Sequence, residues 1–171
     1  MLESTKPPTQ CEQLAELLKS HFKDKKIRGI ELGTLNGATL AYVIENCPNV
    51  TMIAIDVDPV TDMFRTRTSE YESRVLLLVG KTDIAIKHWR NLGMGQVDFV
   101  WVDADHEYRQ VKKDILNYLP LVKEGGIIGG HDYHCTRAWG VTQAVNEIFD
   151  KKILHLGKDL TWWVYKNDIK I

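Results

Sequence analysis

Apolar residues along this chain alternate between two spacings. Leu14, Leu17, Leu18 and Phe22 recur at three- and four-residue steps, which puts them on one face of a helix. Thr9-Gln10-Cys11-Glu12 ahead of them reads as a capping box that starts this helix. The spacing then collapses into a short run, Ile27 to Leu32, ending at Gly33. Four more runs of this kind follow: Val50 to Ile55, Val75 to Val79, Val97 to Val102 and Ile127 to Gly130, the last opened by a Gly125-Gly126 turn. Near-continuous apolar runs are what strands covered on both faces require.

Helical spacing returns between the runs. A helix is predicted from about Gly37 to Asn46, stopped by Pro48. Another starts with Asp58 as N-cap and Pro59 in its first turn. A third opens at Thr82 and ends near Gly93. Val111, Ile115, Leu116 and Leu119 mark a fourth, and Val141, Ala144, Val145, Ile148 and Phe149 a fifth. The chain closes with two strand-like runs, Ile153 to Leu156 and Thr161 to Tyr165, joined by Gly157-Lys158-Asp159 and close enough to pair as an antiparallel hairpin.

Strand–helix alternation implies right-handed crossovers and a parallel sheet. The expected fold is α/β: a Rossmann-like, doubly wound, mostly parallel seven-stranded sheet with a C-terminal antiparallel hairpin. The 171 residues fit one domain, with an N-terminal helix over 1–26 and a core over 27–171. Ligands of such sheets bind at the carboxyl ends of the strands, so the residues that follow each strand carry the chemistry.

Charge narrows the partners. Lys and Arg number 22 against 23 Asp and Glu, so no general affinity for nucleic acid or an anionic membrane is expected. Cys11, Cys47 and Cys135 lie far apart, which argues against a structural zinc site and a disulfide framework. Met1 to Pro8 is polar and proline-broken, with no signal-peptide pattern, so a cytoplasmic location is expected.

After the first strand stands Glu31-Leu32-Gly33-Thr34-Leu35-Asn36-Gly37. A dinucleotide loop needs a glycine where Leu35 stands, and no Gly-Lys-Ser/Thr of a P-loop is present. After the second strand comes Asp56, whose carboxylate suits the two hydroxyls of a ribose. After the third comes Gly80-Lys81-Thr82-Asp83, in which Thr82 or Asp83 would cap a helix or meet a base.

The fourth strand is followed by Asp103-Ala104-Asp105-His106 and the fifth by His131-Asp132-Tyr133-His134. These strands are neighbours in the inferred sheet, so Asp103 and Asp132 face one another. Converging carboxylates repel unless a cation separates them or one is protonated. A divalent ion such as Mg²⁺ resolves this and would acidify a substrate hydroxyl. His106 or Asp105 could then take the proton. The bland alternatives are Asp105 as a helix cap and His131 and His134 as satisfied loop residues. Lys81, Arg109 and Arg137 are candidates for contact with an acidic substrate. Trp139, Trp162 and Trp163 read as packing residues, with Trp139 in the loop that would wall the substrate pocket.

Glu-x-Gly-x-x-x-Gly after a first strand resembles the opening motif of class I S-adenosylmethionine-dependent methyltransferases. The stretch Val97 to Phe149, with its Asp-x-Asp-His loop, Gly-Gly-Ile-Ile turn and Asp-Tyr, resembles the macrocin-type sugar O-methyltransferases. The resemblance implies S-adenosylmethionine contacts at Glu31, Gly33, Thr34, Gly37, Asp56, Val57, Lys81, Thr82, Asp83 and Asp103. It implies metal ligation by Asp103 and Asp132, joined by His131 where the family often has an acid. It implies His106, or Asp105, as base.

The expected partner is a small hydroxylated acceptor, a sugar or natural product. Nucleic acid and membrane are not expected, and homo-oligomerisation is left open. Two other readings stand beside this one: a nucleoside-binding module without methyl transfer, since little chain precedes the first strand to form a lid, and an NAD-dependent oxidoreductase, against which Leu35 argues.

Overall fold

The computed structural model describes residues 9–59 and 61–170. The reading of Met1 to Pro8 lies outside them. Helix α1 spans Thr9–Phe22 and leads into β1, Ile27–Leu32. Helix α2, Ala38–Asn46, crosses to β2, Val50–Asp56, and α3, Thr61–Thr68, precedes β3, Val75–Val79. Helix α4, Thr82–Asn91, leads to β4, Val97–Val102, and α5, Tyr108–Tyr118, to β5, Val122–Gly130. Helix α6, Trp139–Ile148, is followed by β6, His155–Leu156, and β7, Trp162–Tyr165.

The seven strands form one sheet in the order β3-β2-β1-β4-β5-β7-β6. The first five are parallel, and β7 runs antiparallel to both β5 and β6. The chain builds outward from β1 to β3, then returns to lay β4 on the other side of β1. That reversal is the switch point where a crevice opens.

Alternation along β4 divides its side chains between the two faces. Val100 and Val102 pack with Trp89, Val111, Ile115 and Val145 beneath α4, α5 and α6. Phe99 and Trp101 pack with Leu14, Leu18, Leu40 and Ile44 beneath α1 and α2. Both faces are therefore sealed, as the apolar runs require.

Several boundaries differ from the sequence reading. The α3 helix begins at Thr61, after the Asp58–Pro59 start, with Val60 outside the described residues. Strand β3 is an edge strand, and its Leu76 and Val79 face solvent rather than a core. Strand β5 begins at Val122, so Gly125-Gly126 falls inside it. Gly125 has φ +75°, a left-handed kink that imitated a turn. On α5 the buried stripe is Val111, Asp114, Ile115 and Tyr118, while Leu116 is half exposed. The β6 strand keeps only two residues of the expected four.

Candidate active site

The hydrogen-bond ladders continue past the strand ends and fix where each loop departs. The Gly33 N–H donates to Ile55 O at 2.8 Å, Gly80 N–H to Asp56 O at 2.7 Å and Asp103 N–H to Leu32 O at 2.9 Å. His131 N–H reaches Val102 O at 3.2 Å. Five loops thus emerge side by side along one edge.

Gly33 is required there on two counts. Its φ is +81°, and a Cβ on it would lie 2.2 Å from the Asp103 carbonyl oxygen. The loops after β1 and β4 therefore touch backbone to backbone. Asp56 ties the next loop in. Its Oδ2 accepts from the N–H groups of Thr34 at 2.8 Å and Leu35 at 2.7 Å, and its Oδ1 from Asp58 N–H at 2.9 Å. Oδ1 takes this one donor, which leaves it capacity to accept from another.

Two clefts flank this junction and share Gly33, Asp56 and Ala104. One, of ≈ 470 Å³, has Val57, Lys81, Thr82 and Asp83 in its walls. The other, of ≈ 620 Å³, has Thr34, Leu35, Asp103, His106, His131 and Asp132. A ligand with a nucleoside at one end and an amino acid at the other could run from the first to the second across Gly33.

Most sequence-selected residues line these clefts. Glu31 does not: it lies 1% exposed beneath the glycine loop. Burial pushes its carboxyl up to about 7, with Thr34 pulling the other way and the Asp56 charge adding to the rise. Its Oε2 and the Thr34 hydroxyl are both buried without a hydrogen-bond partner of good geometry. Gly37 also stays below the surface, because a Cβ there would meet the Phe64 ring at 2.7 Å. Thr82 and Asp83 do not cap α4, whose N-cap is Lys81. Asp83 lies 3.7 Å from Lys113.

The acidic end of the second cleft is tightly drawn. His106 Nε2 is 2.8 Å from Asp132 Oδ2. His131 Nδ1 is 3.5 Å from the same oxygen and 3.8 Å from Asp103 Oδ1. One ligand atom from each of Asp103, His131 and Asp132 lies within 4.8 Å of the others, which fits a divalent cation. Burial, then the charges of Glu31 and Asp132, hold the Asp103 carboxyl well above the usual carboxylate range. Asp132 and His134 are held at φ +62° and +65°, a strained arrangement of the kind that gathers at functional sites. His131 Nε2 is buried without a partner among the described residues, so His131 is not the satisfied loop residue of the bland reading.

Asp105 stands apart from this cluster. It faces the nucleoside-side cleft, and its Oδ1 accepts the Glu107 N–H at 2.7 Å ahead of α5. Trp139 is 63% exposed and lies outside both clefts, contrary to its expected place in the pocket wall. Sequence reasoning missed Gln110 and Asp114 of α5, which line the nucleoside-side cleft. Asp114 was detectable as an acid on the apolar stripe between Val111 and Ile115.

A switch-point crevice with a glycine loop, a ribose-suited acid and an acidic cluster is the architecture of a class I methyltransferase. The chain belongs to the family described as "Methyltransferase domain", whose model matches residues 30–133. It is 26% identical over 147 residues to uncharacterized protein R132 of Acanthamoeba polyphaga mimivirus, and the match covers 79% of this chain and 65% of that protein. Its fold is similar to an O-methyltransferase from Bacillus cereus solved in complex with SAH (TM-score 0.73, 17% identity, 95% of this chain and 83% of the other). It is also similar to CalS11, a TDP-rhamnose 3'-O-methyltransferase of calicheamicin biosynthesis (TM-score 0.72, 13% identity, 92% and 79%). A third similar fold is TomG of Streptomyces achromogenes, an O-methyltransferase solved with SAM (TM-score 0.69, 15% identity, 96% and 83%).

Proposed function

We propose that this chain transfers a methyl group from S-adenosylmethionine to a hydroxyl oxygen of a small acceptor, a sugar or natural product, at a site that takes a divalent cation. The observation that carries the reading is the convergence of Asp103, His106, His131 and Asp132 beside a nucleoside-sized cleft. S-adenosylmethionine, when bound, supplies an electrophilic methyl group on a cationic sulfur. A divalent cation, when bound by Asp103, His131 and Asp132, would polarise the acceptor hydroxyl and lower its pKa.

The chain's own residues do the rest. The Gly33–Gly37 loop and Asp56 hold the cofactor ends in place, which supplies proximity. His106 Nε2 stands 2.8 Å from Asp132 Oδ2, a contact that would hold the imidazole in place as the base that receives the acceptor proton. Glu31 beneath the glycine loop and Asp103 in the cleft wall, where a bound cation holds them ionised, would favour the cationic cofactor over its neutral product.

A panel of sugar and phenol acceptors with labelled S-adenosylmethionine tests the reading. Turnover is expected to stop on chelation. It should return with Mn²⁺ at lower concentration than with Mg²⁺, because an imidazole ligand favours transition metals. Turnover indifferent to chelators would remove the metal from the account. Cofactor binding with no transfer to any acceptor would instead support a binding module.

A further inference from the structure

The nucleoside-side cleft contains a polar assembly that metal-assisted transfer does not use. Asp114 of α5 is fully buried, on the stripe that packs beneath the sheet. Its Oδ1 accepts the Thr82 hydroxyl at 2.6 Å and the Gln110 Nε2 at 2.9 Å. Gln110 Nε2 also donates to Thr82 Oγ1 at 3.2 Å. Asp114 Oδ2 is buried with no hydrogen-bond partner among the described residues. Lys113, the neighbouring cation, points to Asp83 instead.

A buried acid without a cation is costly, yet it has one clear geometric effect. A carboxylate accepts and never donates. It therefore fixes which end of the Gln110 amide faces inward: the NH₂ end is taken by Asp114 and Thr82. The carbonyl oxygen, Oε1, is left with no partner among the described residues and is not buried, on a wall of the cleft. An isolated glutamine amide presents either face. This one is locked as an acceptor.

The ligand group that an acceptor-only amide selects is a donor. Of the bases a nucleoside cofactor could carry, adenine offers its exocyclic amino group as a donor, whereas the deaminated base offers a carbonyl oxygen at that position. We propose that Gln110 Oε1 accepts a hydrogen bond from the adenine amino group, with Asp114 as the positioning residue that holds it in that orientation. The proposal rests on the cofactor reading above. It adds a group that discriminates the base, contributed by α5 beside the loop after β3.

Calorimetric titration with S-adenosylhomocysteine and with its deaminated analogue, S-inosylhomocysteine, tests this. The protein as it stands is expected to bind the inosyl compound at least about tenfold more weakly, since a carbonyl would face the Gln110 oxygen. In Gln110→Met the adenosyl compound should lose about tenfold, the inosyl compound should change by less than about threefold, and the ratio should collapse. Asp114→Asn frees the amide to turn over and should also lower the ratio. Gln110 is only half buried, so Gln110→Met keeps the test decisive if Asp114→Asn fails to fold. An unchanged ratio in Gln110→Met, or no discrimination by the parent protein, overturns the proposal. Absence of S-adenosylhomocysteine binding by the parent protein would instead overturn the cofactor reading itself.

Discussion

Asp132→Asn is expected to lower kcat by about 10³-fold while leaving the Kd for S-adenosylhomocysteine within about threefold. General acid–base catalysis alone contributes roughly 10²–10⁴ in rate, and in the proposed reaction Asp132 would serve it through its 2.8 Å contact with His106 Nε2. The same carboxylate oxygen faces His131 at 3.5 Å, so the substitution also removes one of the three proposed ligands. An asparagine amide carries no charge and can turn its NH₂ toward His106 Nε2, which removes the attraction that holds the ring. The fold should tolerate the change, because Asp132 sits at φ +62° and asparagine accepts that left-handed conformation readily. Steady-state transfer of labelled methyl, beside a calorimetric Kd, separates the two effects. A kcat within tenfold of the parent would remove Asp132 from the chemistry.

Glu31→Gln should stabilise the unliganded protein at pH 8 by about 2 kcal/mol and change it little at pH 5. Burial raises the Glu31 carboxyl from an ordinary value near 4.5 to about 7. Between those values the folded protein holds a proton that the unfolded chain has released. Stability therefore falls as pH rises from 4.5 through 7, and stays low above it. The full shift corresponds to about 3 kcal/mol, and the expected gain is smaller because the amide must also find partners in a buried site. Thermal or urea unfolding at the two pH values measures it. The same variant should lose more affinity for cationic S-adenosylmethionine than for neutral S-adenosylhomocysteine, a trade of function for stability. Equal destabilisation at both pH values would show that Glu31 is a satisfied structural acid.

Much of this fold was legible because parallel strands covered on both faces must be continuous apolar runs. Val50 to Ile55 and Val97 to Val102 announce themselves in that way, and Gly33 marks the turn after β1. Strand β3 misled for the same reason: Val75 to Val79 is as apolar as a core strand, yet it lies at the sheet edge, where only one neighbour pairs with it. Gly125 misled because a left-handed glycine inside a strand looks the same in sequence as one in a turn.

The site divided along similar lines. Asp103, His131 and Asp132 follow strand ends directly, so strand order alone brings them together. Gln110 and Asp114 are on a helix, and their place beside Thr82 depends on how α5 packs against α4, a relation that helical spacing does not encode. The separation of Asp105 from His106 into different clefts has the same origin: adjacent residues leave a loop in different directions, and only the backbone path decides which.

S-adenosylmethionine binding is proposed for the edge formed by the loops after β1, β2 and β3. Calorimetric titration of the protein with S-adenosylhomocysteine tests it most directly. One site per chain with a micromolar Kd is expected, and the heat should vanish in Asp56→Ala, which removes the carboxylate that holds Thr34 and Leu35 and is proposed to bind the ribose. No binding by the parent protein, or binding undiminished in Asp56→Ala, would contradict it.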